Sequence, residues 1–305
     1  MNTIEKNILM EIADLHEIPE GAYNIRRNGA LESRNTTANI DIVPKEDCDG
    51  IDIIIAPGTR RESVHIPVIL SESGLHDMVY NDFFIGDDAD VTIVAGCGIH
   101  NCGTGETEHS GIHTFHVGKN AKIRYVEKHY GEGDGNGQNV MNPTTIIEIE
   151  EGGHMEMETT QIKGVDSTER ITSATLAAGA TLVIHEKLMT HGDQVAETDF
   201  TVNLDGEGSS ANVVSRSVAR ERSRQVFRSV INGNNACTGH TECDAIIMDS
   251  ASVAAIPEIT ASHVDAALVH EAAIGKIAGE QIIKLMTLGL TEQEAEEQIV
   301  SGFLK

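Results

Sequence analysis

One short pattern returns about every 30 residues along the middle of the chain: a turn, a small residue, then an alternating strand. It reads GDDADVTIV, GKNAKIRYV, EGGHMEMET, AAGATLVIH and GEGSSANVV. Ala89, Ala121, His154, Ala180 and Ala211 take the equivalent position, separated by 32, 33, 26 and 31 residues. No helical segment separates the repeats. A single coil of this kind cannot bury its own inward face, so the coils must stack, and the pattern predicts a mainly β chain built as a β-solenoid. A β-sandwich of ordinary hairpins is the competing architecture, but sandwiches rarely carry the same small-residue turn at this period.

Outside the repeat, NIDIV, GIDIIIA, TTIIEIE and TDFTVNL show the same alternation of apolar and polar residues. Aromatic residues make up only 3% of the chain, Trp is absent and Gly numbers 29. A core of Val, Ile and Ala with frequent Gly suits tightly layered strands better than a helical bundle.

The ends differ. Residues 3–15 predict a helix with Ile4, Ile8, Leu9, Ile12 and Leu15 on one face, stopped by Pro19 and Gly21. Near the C-terminus, AGEQIIKLMTLG predicts a helix over 278–288 with Ile282, Leu285 and Met286 on one side and Gly289 as its stop. Thr291 and Glu294 form a capping box that starts a second helix, 291–303, striped by Ala295, Ile299 and Phe303. The expected divisions are a helical and strand region over 1–50, a solenoid core over 51–260 and a C-terminal helical segment over 261–305.

A net charge of −26 repels nucleic acid and anionic membranes. It favours cations or a basic protein partner, and it also serves solubility. No window approaches 18 uninterrupted apolar residues, so no transmembrane helix is expected. The opening stretch, MNTIEKNILMEIADLHEI, lacks the apolar region and small-residue cleavage site of an export signal. Five cysteines at 48, 97, 102, 237 and 243 are an odd number. Free thiols in a cytoplasmic protein are expected rather than a disulfide framework.

Three clusters carry metal-binding or nucleophilic residue types. Cys237, His240 and Cys243 have C-x2-H-x2-C spacing, and thiolate and imidazole suit iron, zinc and copper(I). No second pair lies nearby, so this is not a zinc finger. Cys97, His100, Cys102, His109, His113 and His116 fall within twenty residues, but polar residues along solenoid turns explain that density as well. His270 and Glu271 precede the terminal helices. Neighbours on a strand point to opposite faces, so the two serve one site only in an irregular segment or at a subunit interface. The chain has no P-loop, no dinucleotide-binding glycine motif, no H-E-x-x-H and no G-x-S-x-G.

The segments RSVARERSRQVFRSVINGN, ECDAIIMDSASVAAIPEI and HEAAIGKIAGEQIIKLMTLGLTEQEAEEQIVSGFL, together with EKHYGEG, resemble the SufB/SufD family of iron–sulfur cluster assembly proteins. The likeness runs from about Ile51 onward and is strongest from Arg216 to Leu304. It implies a right-handed parallel β-helix, which agrees with the repeat. It also implies a scaffold rather than an enzyme, with a transient iron–sulfur cluster and its iron as cargo. The terminal helices, through Ile282, Leu285, Met286, Ile299 and Phe303, would bind a SufC-type ABC ATPase. A sulfur donor protein is a further partner of such a system.

By the same resemblance Cys243 corresponds to the family's cluster-forming cysteine and Glu271 and His270 to its glutamate and histidine. Cys237 and His240 are not secured by the family pattern. One chain carrying both the cysteine and the histidine fits a homodimer, while pairing with a SufB/SufD paralogue stays open. The alternative function is a metal-dependent β-solenoid enzyme acting on a small molecule or glycan. Solenoid enzymes acting on glycans are usually secreted and rich in aromatics that stack on sugars, whereas this chain has few aromatics and no export signal is expected in it.

Overall fold

The computed structural model describes residues 1–15 and 19–305; His16, Glu17 and Ile18 lie outside the described residues. Helix α1 (Thr3–Ala13) is followed by β1 (Ala22–Arg27), β2 (Ala30–Asn35), β3 (Ile40–Pro44), β4 (Gly50–Ile55) and β5 (Arg60–Leu70). Next come β6 (His76–Ile85), β7 (Asp90–His100), β8 (Thr107–Val117), β9 (Lys122–Glu132), β10 (Asn139–Met141) and β11 (Thr144–Ile149). The chain continues through β12 (His154–Lys163), β13 (Ser167–Leu176), β14 (Thr181–Thr190), β15 (Val195–Leu204) and β16 (Ser210–Ala219). It closes with β17 (Arg224–Gly233), β18 (Thr238–Ile247), β19 (Ser252–Ala261), β20 (Ala267–Gly275), α2 (Gly279–Thr287) and α3 (Glu292–Phe303).

The strands wind into a parallel β-solenoid of about eight turns. One sheet runs β2-β1-β5-β7-β9-β12-β14-β16-β18-β20 and the other runs back from β19 through β17, β15, β13, β10, β8, β6 and β4 to β3, with β11 between β13 and β8. Among the described residues pairing is parallel throughout the coils and antiparallel only at the N-terminal edges, β1 with β2 and β3 with β4. The strands carrying the sequence repeat, β7, β9, β12, β14 and β16, are successive neighbours in one sheet.

The register corrects the alignment of the repeat. Asp90, Lys122, His154, Thr181 and Ser210 stand in one row, so the residues before them, Ala89, Ala121, Gly153, Ala180 and Ser209, are equivalent. His154 and Ala211 lie one and two residues beyond Gly153 and Ser209, the positions equivalent to Ala89. The turn itself explains the shift. The residue before the row takes a left-handed conformation at Asp88, Asn120, Gly152, Gly179 and Gly208, with φ of 57, 54, 68, 63 and 72°. The following amide then donates back to the carbonyl three residues earlier, as Ala121 does to Gly118. A small buried residue is needed just after the left-handed one, whether it is Ala, Gly or Ser.

Alternation puts every second side chain inside. Along β15 Ala196, Thr198, Phe200, Val202 and Leu204 are buried and the residues between them are partly exposed. Exact stacking lays like on like: Phe83 and Phe115, direct partners in β6 and β8, stack with ring centroids 4.3 Å apart. Each fully buried large apolar side chain stabilises the fold by about 1.5–3 kcal/mol. One apolar core cluster reaches from Ala22 to Cys243.

Helix α1 begins on an Asn2–Glu5 capping box and ends at Asp14, shorter than the 3–15 span expected. Ile8, Leu9 and Ile12 are buried against the outer face of the first sheet, while Ile4 is exposed. Gly96 and Gly98 make that close approach possible. A Cβ on Gly98 would lie 2.0 Å from Ile8 Cγ2, and one on Gly96 would lie 2.6 Å from the Ile12 carbonyl oxygen.

The C-terminal helices form where the sequence predicts, with the Thr291–Glu294 capping box in place. The buried stripe of α3 is Ala295, Val300 and Leu304, with Ile299 and Phe303 only half-buried. Val300 and Leu304 pack with Val218 on the solenoid flank, joined by Phe303 and Met189. Helix α2 has no buried residue, and Ile283, Met286 and Leu288 are exposed.

Candidate metal centre at the open end of the solenoid

β18 and β20 are the last strands of their sheet, and β19 is the last of the other. Among the described residues β19 and β20 each have a ladder partner on one side only. No described residue covers the final coil, so residues that would be interior elsewhere are half or fully exposed along β19 and β20.

Within β18 the alternation is regular. Gly239, Thr241, Cys243 and Ala245 are buried and face inward; His240, Glu242 and Asp244 face outward. The register then sorts the residues of β20. Thr241 opposes His270, Glu242 opposes Glu271 and Cys243 opposes Ala272. His270 therefore shares the inner face with Cys243, about 8 Å away by strand spacing and rise. Glu271 lies on the outer face.

The strand also separates the C-x2-H-x2-C spacing. Cys237 ends the turn before β18 and is buried in the core. Six extended residues carry the chain roughly 20 Å to Cys243, and His240 points to the opposite face. One chain does not bring these three side chains together.

On the inner face, Cys243 is 1% exposed. Burial, then Glu186 and Asp244, push its thiol up to about 12. His270 Nδ1 lies 2.6 Å from the Thr241 hydroxyl, and its Nε2 is buried without a hydrogen-bond partner among the described residues. Burial, and then His240, hold this imidazole below its usual range, in the neutral form that a metal ligand requires.

On the outer face, His240, Glu242 and Glu271 place one ligand atom each within 4.8 Å of one another. His240 Nε2 is 3.8 Å from Glu271 Oε2, and Asn212 Oδ1 lies 2.9 Å from His240 Nδ1. Burial and then Asp244 raise the Glu242 carboxyl. An imidazole with two carboxylates suits a hard or borderline divalent cation such as ferrous iron.

A buried polar column behind Cys243 escaped the sequence reading. Glu127, Thr159, Glu186, Ser215 and Cys243 are in-register neighbours on the inner face. Ser215 Oγ donates to Glu186 Oε2 at 2.6 Å and Thr198 Oγ1 to Glu186 Oε1 at 3.1 Å. Arg170 reaches Glu127 at 2.5 Å and Glu186 at 3.8 Å. The signal was present in ATLVIHEKLM, where Glu186 has the same parity as Leu182, Ile184 and Leu188.

The six residues from Cys97 to His116 do not form one site. Cys97 is buried in a small apolar cluster with Leu70 and Ile99. His109 pairs with Asp77 at 3.0 Å and His113 lies 2.9 Å from the Tyr125 hydroxyl, both inside the solenoid. His116 stacks on Phe84 outside it. Only His100 and Cys102 are in contact.

The fold defines a β-solenoid protein whose terminal coil, uncovered by any described residue, carries thiol and imidazole groups on its inner face and imidazole and carboxylate groups on its outer face. Residues 76–303 match the family model described as SUF system FeS cluster assembly, SufBD core domain, and the chain belongs to that family. It is 30% identical over 264 residues to an iron–sulfur cluster assembly SufBD family protein of Archaeoglobus fulgidus, covering 85% of this chain and 69% of that one. A SufBD family protein of Methanocaldococcus jannaschii is 29% identical over 255 residues, covering 83% and 79%. One from Staphylococcus saprophyticus is 28% identical over 227 residues, covering 72% of this chain and 47% of its own length.

Proposed function

We propose that this chain is a non-enzymatic scaffold on which nascent iron–sulfur clusters form at an interface between two solenoid ends. The observation that carries the reading is the unpartnered Nε2 of His270, held in the uncovered coil on the face that also bears Cys243. A two-fold mate meeting β19 and β20 would bury Ile259 and Ile274, now exposed, and would satisfy the unpaired strand edges. The mate is a second copy of this chain or a SufB/SufD paralogue. Each chain then needs to offer only a few ligands, because the interface doubles them. Cys243, His270 and Glu271 are the proposed ligands, with His240 on the outer face beside Glu271; Cys237 ranks last, being remote from them. The cluster is cargo, and mixed thiolate, imidazole and carboxylate ligation is more exchangeable than four thiolates.

The partner is a SufC-type ABC ATPase bound through the 261–305 segment, with the cytoplasm as the expected location. No helix among the described residues is long and apolar enough to cross a membrane. The exposed Ile283 and Met286 of α2, with Leu288 just after it, supply an apolar surface for that contact. ATP-driven closure of two bound ATPases would pull on the helices and open the interface to iron and sulfur.

The test is anaerobic co-expression with a SufC-type ATPase, followed by UV–visible and Mössbauer spectra of the purified complex. An oxygen-sensitive brown complex containing the ATPase is the expected result. Turnover of a small molecule or glycan by the isolated chain, with no cluster, would overturn it.

A further inference from the structure

His76 opens β6, and Glu108 stands directly opposite it in β8 on the outer face of the sheet that ends at β19. Glu106 lies just before β8, two residues from Glu108. Thr107 between them is fully buried, and its hydroxyl accepts from the Gly74 amide at 3.2 Å. That inward anchor turns the carboxylates on either side of it outward. His76, Glu106 and Glu108 each place one ligand atom within 4.8 Å of the others. His76 Nδ1 lies 3.1 Å from Glu108 Oε2.

Glu108 is held by its neighbours. Ser110 Oγ donates to its Oε1 at 2.8 Å, and Asn142 Nδ2 donates to the same oxygen at 3.1 Å. The Glu169 amide donates to Asn142 Oδ1 at 3.0 Å, which fixes the side-chain amide with its NH2 towards Glu108. Two donors therefore engage Oε1 and leave Oε2 facing His76. Burial alone would raise the Glu108 carboxyl, but the hydrogen bonds from Ser110, His76 and Asn142 hold it below its usual range. A cross-strand ion pair accounts for His76 and Glu108. It does not account for Glu106, whose carboxylate is brought within the same 4.8 Å. Two carboxylates this close repel each other, and a cation between them reverses the sign of that interaction.

We propose that His76, Glu106 and Glu108 form a further divalent-cation site that takes zinc or ferrous iron, with Ser110 and Asn142 as positioning residues. One imidazole and two carboxylates suit a borderline cation; magnesium and calcium prefer oxygen ligands alone. Three protein ligands leave a position for water. The net charge of −26 draws cations to the surface. Glu106 belongs to the connection between β7 and β8 and His76 to β6, so the ion ties that connection to the preceding coil. The sheet continues through β10, β13, β15 and β17 before it reaches β19, so this ion is separate from the metal centre at the open end. The assignment stands without the cluster-assembly reading.

The experiment dialyses the metal-free, reduced, anaerobic full-length protein against zinc and, separately, against ferrous iron, and counts the bound ions by elemental analysis. A His240→Gln background weakens the other cluster of one imidazole and two carboxylates. In that background at least one equivalent should remain bound, and excess magnesium should not displace it. His76→Gln and Glu106→Gln should each weaken it by about tenfold or more, and Asn142→Ala by about tenfold. Glu106→Gln leaves the His76–Glu108 pair in place, so its effect isolates the third ligand. The bound ion should raise the melting temperature of the background protein but not of its Glu106→Gln variant. Unchanged circular dichroism and unchanged melting of the metal-free forms establish that the variants are folded.

Zinc and iron binding that is indifferent to both His76→Gln and Glu106→Gln overturns the proposal. So does ready displacement by magnesium, which marks a diffuse acidic surface only. Tight binding of one of the two metals alone upholds the site and names its ion. Glu106→Gln in the otherwise unaltered chain should still form cluster on anaerobic reconstitution. Failure of the parent protein in that reconstitution would count against the scaffold reading and leave this site as it stands.

Discussion

The Thr241 hydroxyl holds the imidazole of His270 across the last ladder of the solenoid, 2.6 Å from Nδ1, and leaves Nε2 without a partner among the described residues. The two residues are direct register partners, so the ring orientation is set by the sheet rather than by a loop. Orienting hydrogen bonds of this kind change metal affinity by roughly 10–100-fold when removed. Thr241→Val keeps the shape and deletes the hydroxyl. Cluster retention under competition with a chelator should fall by about tenfold, with a stability loss of only about 1 kcal/mol. Retention equal to the parent's would mean that His270 is not a ligand.

Cys243→Ser and Cys237→Ser separate the two buried cysteines. Under identical anaerobic reconstitution the first should lose the cluster and the second should keep it. Loss only in the second would move the site to Cys237. The thiol of Cys243 is pushed up to about 12, and the ligand form is the thiolate, so iron must displace a proton. Initial iron capture should therefore rise with pH, by up to about tenfold per unit below that value. A pH-independent capture rate would argue against thiolate ligation in the first step.

Arg170 sits between Glu127 and Glu186, all three nearly inaccessible. Arg170→Met strands two buried carboxylates and should cost about 3–5 kcal/mol in urea unfolding. Adding Glu127→Gln to it should recover part of that loss. A single-variant cost below about 1 kcal/mol would show that water reaches these groups.

His113 and His129 are each lowered to about 4, chiefly by burial. Folded, they stay neutral; unfolded, they take up protons near 6.5. Their contribution is complete above that value and is lost as pH falls towards 4. The melting temperature should drop across this window, and His129→Gln should flatten the slope. An unchanged slope would place the acid sensitivity elsewhere.

The partner contact is best probed on α2. Leu288→Asp and Ile283→Asp alter exposed side chains, so ATPase capture should fall by tenfold or more, roughly 1.4 kcal/mol, with unchanged melting. Phe303→Asp should also weaken capture, but with a lower melting temperature, because Phe303 packs beside Val218. Normal capture by all three would leave the helices as a structural cap.

The solenoid was legible because its period is enforced by turn chemistry that recurs in the residues themselves. The register was less so. Ala marks the repeat in the sequence, but the constraint is the left-handed residue just before it, which moves the equivalent position away from His154 and Ala211. The sequence shows Ala295, Ile299 and Phe303 as the apolar stripe of α3, with Ile299 and Phe303 expected at the ATPase contact; Val300 and Leu304 do more of the docking onto the solenoid, since the angle at which a helix meets a flank is a tertiary property. For the metal centre, the residue types were visible but not their faces. Only the pairing of β18 with β20 divides His270 from Glu271 and joins His240 to Glu271.

Because every coil adds one strand to each sheet, the number of coils is a ruler. Five strand steps lie between β8, which carries Glu108, and β19, which carries Ile259 at the open end, a separation of about 24 Å. Gain or loss of a whole coil would change that length in increments of about 4.8 Å and leave both groups of residues intact. Gain or loss of a single residue within a strand would invert which side chains face inward from that point. Lineages of such a chain can therefore vary in length by whole coils far more readily than by single residues.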